Sequence, residues 1–211
     1  MNIEIINGLW VPSNDVHVEQ WRRGQAFTQN KCLNKFLAYC DGKDIKFKTA
    51  LDIGAWCGTW SIELAKYCQK IYAIEPDRTN FACLLKNLSA LDNIELIDYA
   101  MGDTETKVSL TDDDFTQAKR IIPAGNILMK TVDSFKFEDV DLIKIDVEGF
   151  EMNVLRGAKD TLKDCNFLMI ELNNNSKKYN SSNNEIEKYL QELGFTTLID
   201  KWPDKVFVRN N

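Results

Sequence analysis

The chain is poor in the residues on which several kinds of chemistry depend. It has one histidine, His17, in 211 residues, which argues against a zinc site of the His/Cys type. Its six cysteines, Cys32, Cys40, Cys57, Cys68, Cys83 and Cys165, form no Cys-x-x-Cys pair, and most fall inside apolar segments. That is how small buried hydrophobes in a reducing compartment are distributed, with no disulfides expected. No run of Lys or Arg exceeds two residues and the formal net charge is -6, so the basic footprint of a nucleic-acid binder is missing. No apolar run has the length needed to cross a bilayer. The first six residues lack a positive region followed by an apolar one. A cytoplasmic protein with no nucleic-acid and no membrane partner is expected.

What is present suits a single α/β domain. Hydrophobic residues make up 44% and charged residues 27%, close to a globular average. Residues 1–26 read as irregular with a short strand near Ile3, and 27–40 as a helix. From residue 49 short apolar runs alternate with helical patterns. Strands are predicted at 50–53, 70–74, 94–97, 141–145 and 166–170. Helices are predicted at 59–68, 78–91, 151–163 (broken near Gly157) and 184–193. Strands alternating with helices imply βαβ units and a mostly parallel sheet with helices on both faces. The end, 195–199 and 206–209 around Trp202-Pro203-Asp204, reads as an antiparallel hairpin at the sheet edge. Residues 111–126 and 173–184 read as loops. The division expected is an amino-terminal cap on the substrate side over 1–48 and a cofactor domain over 49–211.

The first predicted strand runs into Asp52-Ile53-Gly54-Ala55-Trp56-Cys57-Gly58. Ligands of open α/β sheets bind beyond the carboxyl ends of strands. Gly54 would let the backbone turn and approach a ligand, and Gly58 would open a helix whose free amides can face an anion. The spacing discriminates between cofactors. A dinucleotide fingerprint needs G-x-G-x-x-G, but from Gly54 the next two glycine positions hold Trp56 and Thr59. A Gly-Lys-Ser/Thr phosphate loop is also missing. The remaining Asp-x-Gly-x-x-x-Gly suits a cofactor whose only anion is an amino-acid carboxylate, and S-adenosyl-L-methionine fits. The second strand ends in Ile74-Glu75-Pro76, where Glu75 can accept hydrogen bonds from both ribose hydroxyls. After the third strand, Met101 could pack on adenine and Asp103 accept from its amine.

Lys144-Ile145-Asp146-Val147-Glu148-Gly149-Phe150-Glu151 sets three carboxylates at the end of a further strand. Period-two alternation puts Lys144, Asp146 and Glu148 on one side, where they could position a substrate or take a proton. Glu151 alone suits a helix N-terminus. Glu171 ends the neighbouring strand and could face the same cleft.

The segments Leu51-Asp52-Ile53-Gly54-Ala55, Tyr72-Ala73-Ile74-Glu75-Pro76, Ala100-Met101-Gly102-Asp103, Lys144-Ile145-Asp146-Val147-Glu148-Gly149 and Val154-Leu155-Arg156-Gly157-Ala158 resemble, in order and spacing, the FkbM-type methyltransferases. The likeness covers about residues 49–172, and its most specific part is the Lys-Ile-Asp-Val-Glu-Gly run. The amino-terminal part resembles phage-encoded members. The resemblance implies a Rossmann-like class I fold with a seven-stranded sheet, and O-methylation of a hydroxyl on a sugar, glycan or small metabolite. It also implies that Asp52, Gly54, Glu75 and Asp146 line the cofactor or reaction site. Ala55, Gly58, Pro76, Met101 and Asp103 complete the expected cofactor set.

His17, Asp146 and Glu148 are the candidates for taking the acceptor's proton, His17 because its ordinary pKa sits near neutrality. No metal site is assigned, although these carboxylates have the chemistry to hold Mg2+. Three other functions compete. An N-methyltransferase of base amines lacks its Asn/Asp-Pro-Pro-aromatic motif here. A non-catalytic module would need neither Glu75 nor the glycine loop. An NAD enzyme fails on the glycine spacing.

Overall fold

The computed structural model describes residues 2–13, 15–23, 30–111 and 119–210, without the side chains of Val16, His17 and Asn30. Its centre is a seven-stranded sheet. In chain order its strands are β3 (Phe47–Ile53), β4 (Cys68–Ile74), β5 (Ile94–Ile97), β10 (Val140–Ile145), β11 (Phe167–Glu171), β12 (Phe195–Lys201) and β13 (Asp204–Arg209). Across the sheet the order is β12-β13-β11-β10-β3-β4-β5. β13 alone runs antiparallel to both of its neighbours. This is the expected mostly parallel sheet with a terminal hairpin.

The parallel strands are short apolar runs because both of their faces are covered. Every residue of β11 is buried, as are six of the seven in β3, Lys48 being the exception. On one face, α5 (Glu151–Arg156), α6 (Thr161–Asp164) and α7 (Asn183–Glu192) press Leu155, Leu162 and Leu190 onto Ile53, Ile145 and Ile170. On the other, α2 (Asn30–Gly42) and α3 (Thr59–Leu64) cover Ala50, Leu142 and Met169. Beside them α4 (Arg78–Leu88) packs Leu84 and Leu88 against Ala73. All six cysteines are buried and unpaired. Among the described residues no helix is long and apolar enough to cross a membrane.

Three regions depart from the sequence reading. The amino-terminal stretch is ordered as a hairpin, β1 (Ile3–Ile6) with β2 (Leu9–Pro12), followed by α1 (Val16–Arg22). Its turn residues Asn7 and Gly8 have φ of 52° and 82°, the backbone of a type I′ hairpin turn. A second sheet, order β6-β9-β7-β8, fills the connection from β5 to β10. It comprises β6 (Ala100–Met101), β7 (Thr106–Leu110), β8 (Ile121–Pro123) and β9 (Ile127–Lys130), so the expected loop at 111–126 contains a strand, with 112–118 outside the described residues. Finally, α3 stops at Leu64, and Cys68 already belongs to β4.

The hairpin packs Val11 in an apolar cluster with Trp56, Cys57 and Cys83, and one side chain ties it to the main domain by hydrogen bonds. Asn87 on α4 accepts from the Trp10 amide at 2.8 Å and donates to the carbonyls of Trp10 and Cys57 at 2.8 and 2.7 Å. Trp21 on α1 meets Trp56 edge-on, with ring centroids 5.8 Å apart. The amino-terminal segment therefore sits against the glycine loop.

Candidate active site

Strand order reverses between β3 and β10, the neighbours at the middle of the sheet. A cleft opens beyond the carboxyl ends of β3, β4, β10 and β11, where open α/β sheets hold their ligands. Gly54, Ala55, Glu75, Pro76, Met101, Asp146 and Glu148 line it.

The glycine loop works differently from its sequence reading. Gly54 has φ of +76°, and a Cβ there would lie 1.8 Å from the Asp146 carbonyl oxygen. Glycine is required because the ends of β3 and β10 touch, whether or not a ligand approaches. Gly58, φ +90°, caps α3 and faces Leu84 and Leu88 of α4, which a Cβ would meet at 3.0–3.1 Å. The loop amides are mostly engaged within the protein: Gly54 and Ala55 donate to the Ile74 carbonyl at 2.9 and 3.0 Å, and Trp56 donates to Glu75 Oε2 at 2.9 Å.

Glu75 is the hinge of this half of the cleft. Its Oε1 accepts from the Asp77 amide at 2.9 Å and from Asn80 Nδ2 at 3.4 Å. Burial pushes its carboxyl up to about 7, against the pull of those donors. Asp77 caps α4 through the amides of Thr79 and Asn80. Lys119, leading into β8, reaches across to Asp77 Oδ2 at 2.6 Å. Tyr99, Ala100 and Met101 form an apolar wall beside Pro76.

The other half is acidic. Asp52 and Lys144 are cross-strand partners of β3 and β10, with Nζ 3.0 Å from Oδ1. Lys144 also donates to the Gly54 carbonyl at 2.6 Å and lies 3.9 Å from Asp146. Burial alone would lower its pKa, but Asp52 and Asp146 outweigh that and raise it. Glu148 and Glu171 are both pushed upward, first by burial and then by the Asp146 charge. Asn173 donates to Glu171 Oε2 at 2.5 Å, and Asn175 to Glu148 Oε2 at 2.8 Å. Asp204, which opens β13, is pushed up to about 7 by burial and then by Asp146. Glu151 turns back to accept from the Gly149 amide at 2.8 Å, and so belongs to the helix start.

Three residues of the expected cofactor set stand off the lining. Asp52 is fully buried beneath it and accepts from Ser61 Oγ at 2.5 Å. Gly58 lies against α4. Asp103 accepts from Asn153 Nδ2 at 3.1 Å, so its carboxylate is engaged with α5 and not with the cleft. The backbone of His17 is in α1, but its side chain is outside the described residues. Sequence reasoning passed over Trp60, Asp77, Lys119 and Asp204. Asp77 carried a signal, an N-cap directly after Glu75-Pro76. Trp60 is 4% exposed and lines the cleft, and its indole N–H has no acceptor among the described residues.

A doubly wound sheet with a cleft at its switch point and an acid ending the second parallel strand defines a Rossmann-like small-molecule-binding domain. A family model described as the methyltransferase FkbM domain matches residues 48–197, and the chain belongs to that family. A hexuronic acid methyltransferase, AglP of Haloferax volcanii, is 23% identical over 159 residues, which cover 71% of this chain and 64% of the relative. The chain thus spans less than two thirds of the length of that curated relative. A precorrin 8w decarboxylase from Methanobacterium thermoautotrophicum is similar at 18% identity and a TM-score of 0.49, over 79% of this chain and 83% of its own. An rRNA methylase from Streptococcus thermophilus is similar at 13% identity and a TM-score of 0.49, over 79% and 89%. Likeness at that level bears on neither cofactor nor substrate.

Proposed function

We propose that the protein is an S-adenosyl-L-methionine-dependent methyltransferase acting on a hydroxyl of a sugar, glycan or small metabolite. Membership of the FkbM family supports the reaction class. The observation that carries the reading is the two-part cleft, with Glu75 and an apolar wall at one end and the carboxylates Asp146 and Glu148 at the other.

The residues present fit the cofactor. Glu75 keeps lone pairs for ribose hydroxyls beyond the three donors it already accepts from. Pro76 and Met101 offer apolar surface to adenine, with Gly54 and Ala55 flanking. The Trp60 N–H, which has no acceptor among the described residues, suits an amino-acid carboxylate, since a buried donor left without a partner costs free energy. Bound there, S-adenosyl-L-methionine supplies a methyl group on a sulfonium, already a strong electrophile. The protein's part is approach geometry and exclusion of water. Asp146 and Glu148 orient the acceptor hydroxyl and take its proton, with His17 as the second candidate base. Asp52 and Asp103 act from behind the lining, by holding Lys144 and Asn153.

The glycan acceptor is supported by the named activity of the Haloferax volcanii relative. Residues 1–48 form the acceptor-side cap, supported by Trp21 against Trp56 and by Asn87 joining the hairpin to the loop. Calorimetric titration with S-adenosylhomocysteine tests the cofactor, and no binding at millimolar concentration sinks the proposal. Glu75→Ala is expected to weaken that binding by about 1–3 kcal/mol, roughly 5- to 150-fold. A screen of glycan and small-molecule hydroxyl acceptors with methyl-labelled cofactor then identifies the substrate class.

A further inference from the structure

The acidic half of the cleft gathers Asp146, Glu148 and Glu171 at one edge of the sheet. Lys144 is the one cation within ion-pair distance of these carboxylates among the described residues, and it is engaged with Asp52 and, more distantly, Asp146. Glu148 and Glu171 make no ion pair among the described residues. Their Oε2 atoms are fixed by the amides of Asn173 and Asn175, while both Oε1 atoms have no donor among the described residues. Oriented carboxylates with open oxygens are what a hard cation requires, and amide donors behind them are the usual support.

Register explains why these groups converge. Lys144 is paired with Met169, and Met169 with Val206, so all three side chains stand on one face. Stepping two residues on along β10 and β11, and two back along antiparallel β13, puts Asp146, Glu171 and Asp204 on that same face at the same edge. Glu171 and Asp204 are direct partners in the ladder. Asp204 is 5% exposed, its carboxylate makes no hydrogen bond or ion pair among the described residues, and it feels the charges of both Asp146 and Lys144. A buried carboxylate with no hydrogen-bonding partner among the described residues, standing beside Asp146 and Glu171, is an independent sign that a positive ligand belongs there. A sulfonium supplies a single positive charge and no coordination position.

We infer that Asp146, Glu148 and Glu171 form a divalent-cation site, with Asp204 as the fourth charge facing it. One oxygen from each of the three residues lies within 4.8 Å of the others, close enough for all three to reach one hard divalent ion. Coordination positions left on the cleft side would take a hydroxyl or carboxylate oxygen of the acceptor. The inference deepens the methyltransferase reading and rests on it for that last role, but cation binding itself is measured separately.

Mn2+ is the probe, its free aqueous ion being read by electron paramagnetic resonance during titration into the full chain. One ion per chain is expected. Glu171→Gln and Glu148→Gln should each weaken binding by at least about 10- to 100-fold, the loss typical of outer-shell partners alone. Asp204→Asn should weaken it less. Circular dichroism checks that each variant is folded, and Glu148→Gln at a half-buried position serves if Glu171→Gln is not. No Mn2+ bound at millimolar concentration overturns the site, as does binding that survives both glutamine variants. S-adenosylhomocysteine is titrated on the same samples. Its binding without Mn2+ refutes the cation site alone, and Mn2+ binding without it refutes the cofactor reading while the cation site stands.

Discussion

Gly54→Ala separates two explanations of the glycine loop. If the glycine exists for a ligand, alanine should leave the unliganded fold intact and block binding. The structure gives the opposite expectation. At φ of +76° a non-glycine residue is strained by about 1–2 kcal/mol. The added methyl, 1.8 Å from the Asp146 carbonyl oxygen, cannot be accommodated unless the ends of β3 and β10 part. Parting them endangers the Asp146 amide to Ile53 carbonyl bond of 3.0 Å and the Lys144 to Gly54 carbonyl bond of 2.6 Å. The first is worth about 1 kcal/mol and the second, with a charged donor, about 1.5–3. The total is about 3.5–6 kcal/mol, a large part of an ordinary domain's stability. Urea unfolding of the unliganded protein should show that loss at unchanged slope, with a fall in melting temperature of roughly 7–24 °C. Gly58→Ala, whose neighbours are leucine side chains able to yield, should cost only about 1–2 kcal/mol. A Gly54→Ala loss below about 1 kcal/mol, accompanied by failure to bind S-adenosylhomocysteine, would refute the packing argument.

Further expectations concern charge. Lys144→Met strands the fully buried Asp52 without its partner and should cost about 3–5 kcal/mol; a double variant with Asp52→Asn should recover part of it, and strict additivity would argue against the pair. Glu75 is raised from 4.5 to about 7 by burial, so between those pH values the folded state binds more protons than the unfolded one. Stability of the unliganded protein should therefore fall as pH rises through that window, by roughly 3 kcal/mol from Glu75 alone. Asp204 acts in the same direction, and a melting temperature that is flat or rising from pH 5 to 8 would contradict both. Once an acceptor is known, Glu148→Gln should slow methyl transfer about 100-fold or more. A wild-type rate in Glu148→Gln with a comparable loss in His17→Ala would transfer the proton-accepting role to His17.

The sheet was legible because its parallel strands are buried on both faces, and an apolar run such as Leu142-Ile143-Lys144-Ile145 has no other place in a chain this size. The glycine loop and Glu75 were legible because strand ends and turns carry their own chemistry. The small second sheet was not. Its β7 buries only Val108 fully, and β6 has two residues, so neither shows a period. The amino-terminal hairpin did carry a signal, since Asn7-Gly8 between apolar pairs demands a type I′ turn. Asp204 was invisible for a different reason. It stands 33 residues from Glu171, and only the antiparallel ladder brings the two together. Asp52 and Asp103 illustrate the converse: a carboxylate in the right segment can be claimed by Ser61, Lys144 or Asn153 before any ligand arrives.

The reversed direction of β13 has a consequence for the order in which the molecule is completed. A parallel strand presents its end to the cleft, but β13 presents its beginning, so Asp204 reaches the edge only when the final hairpin has zipped onto β11. A nascent chain emerging from the ribosome could assemble the glycine loop, Glu75 and the β10 carboxylates while the seat beside Glu171 was still bare. A chain clipped ahead of β13 would keep Asp146, Glu148 and Glu171 but lose Asp204 and the strand that pairs with β11.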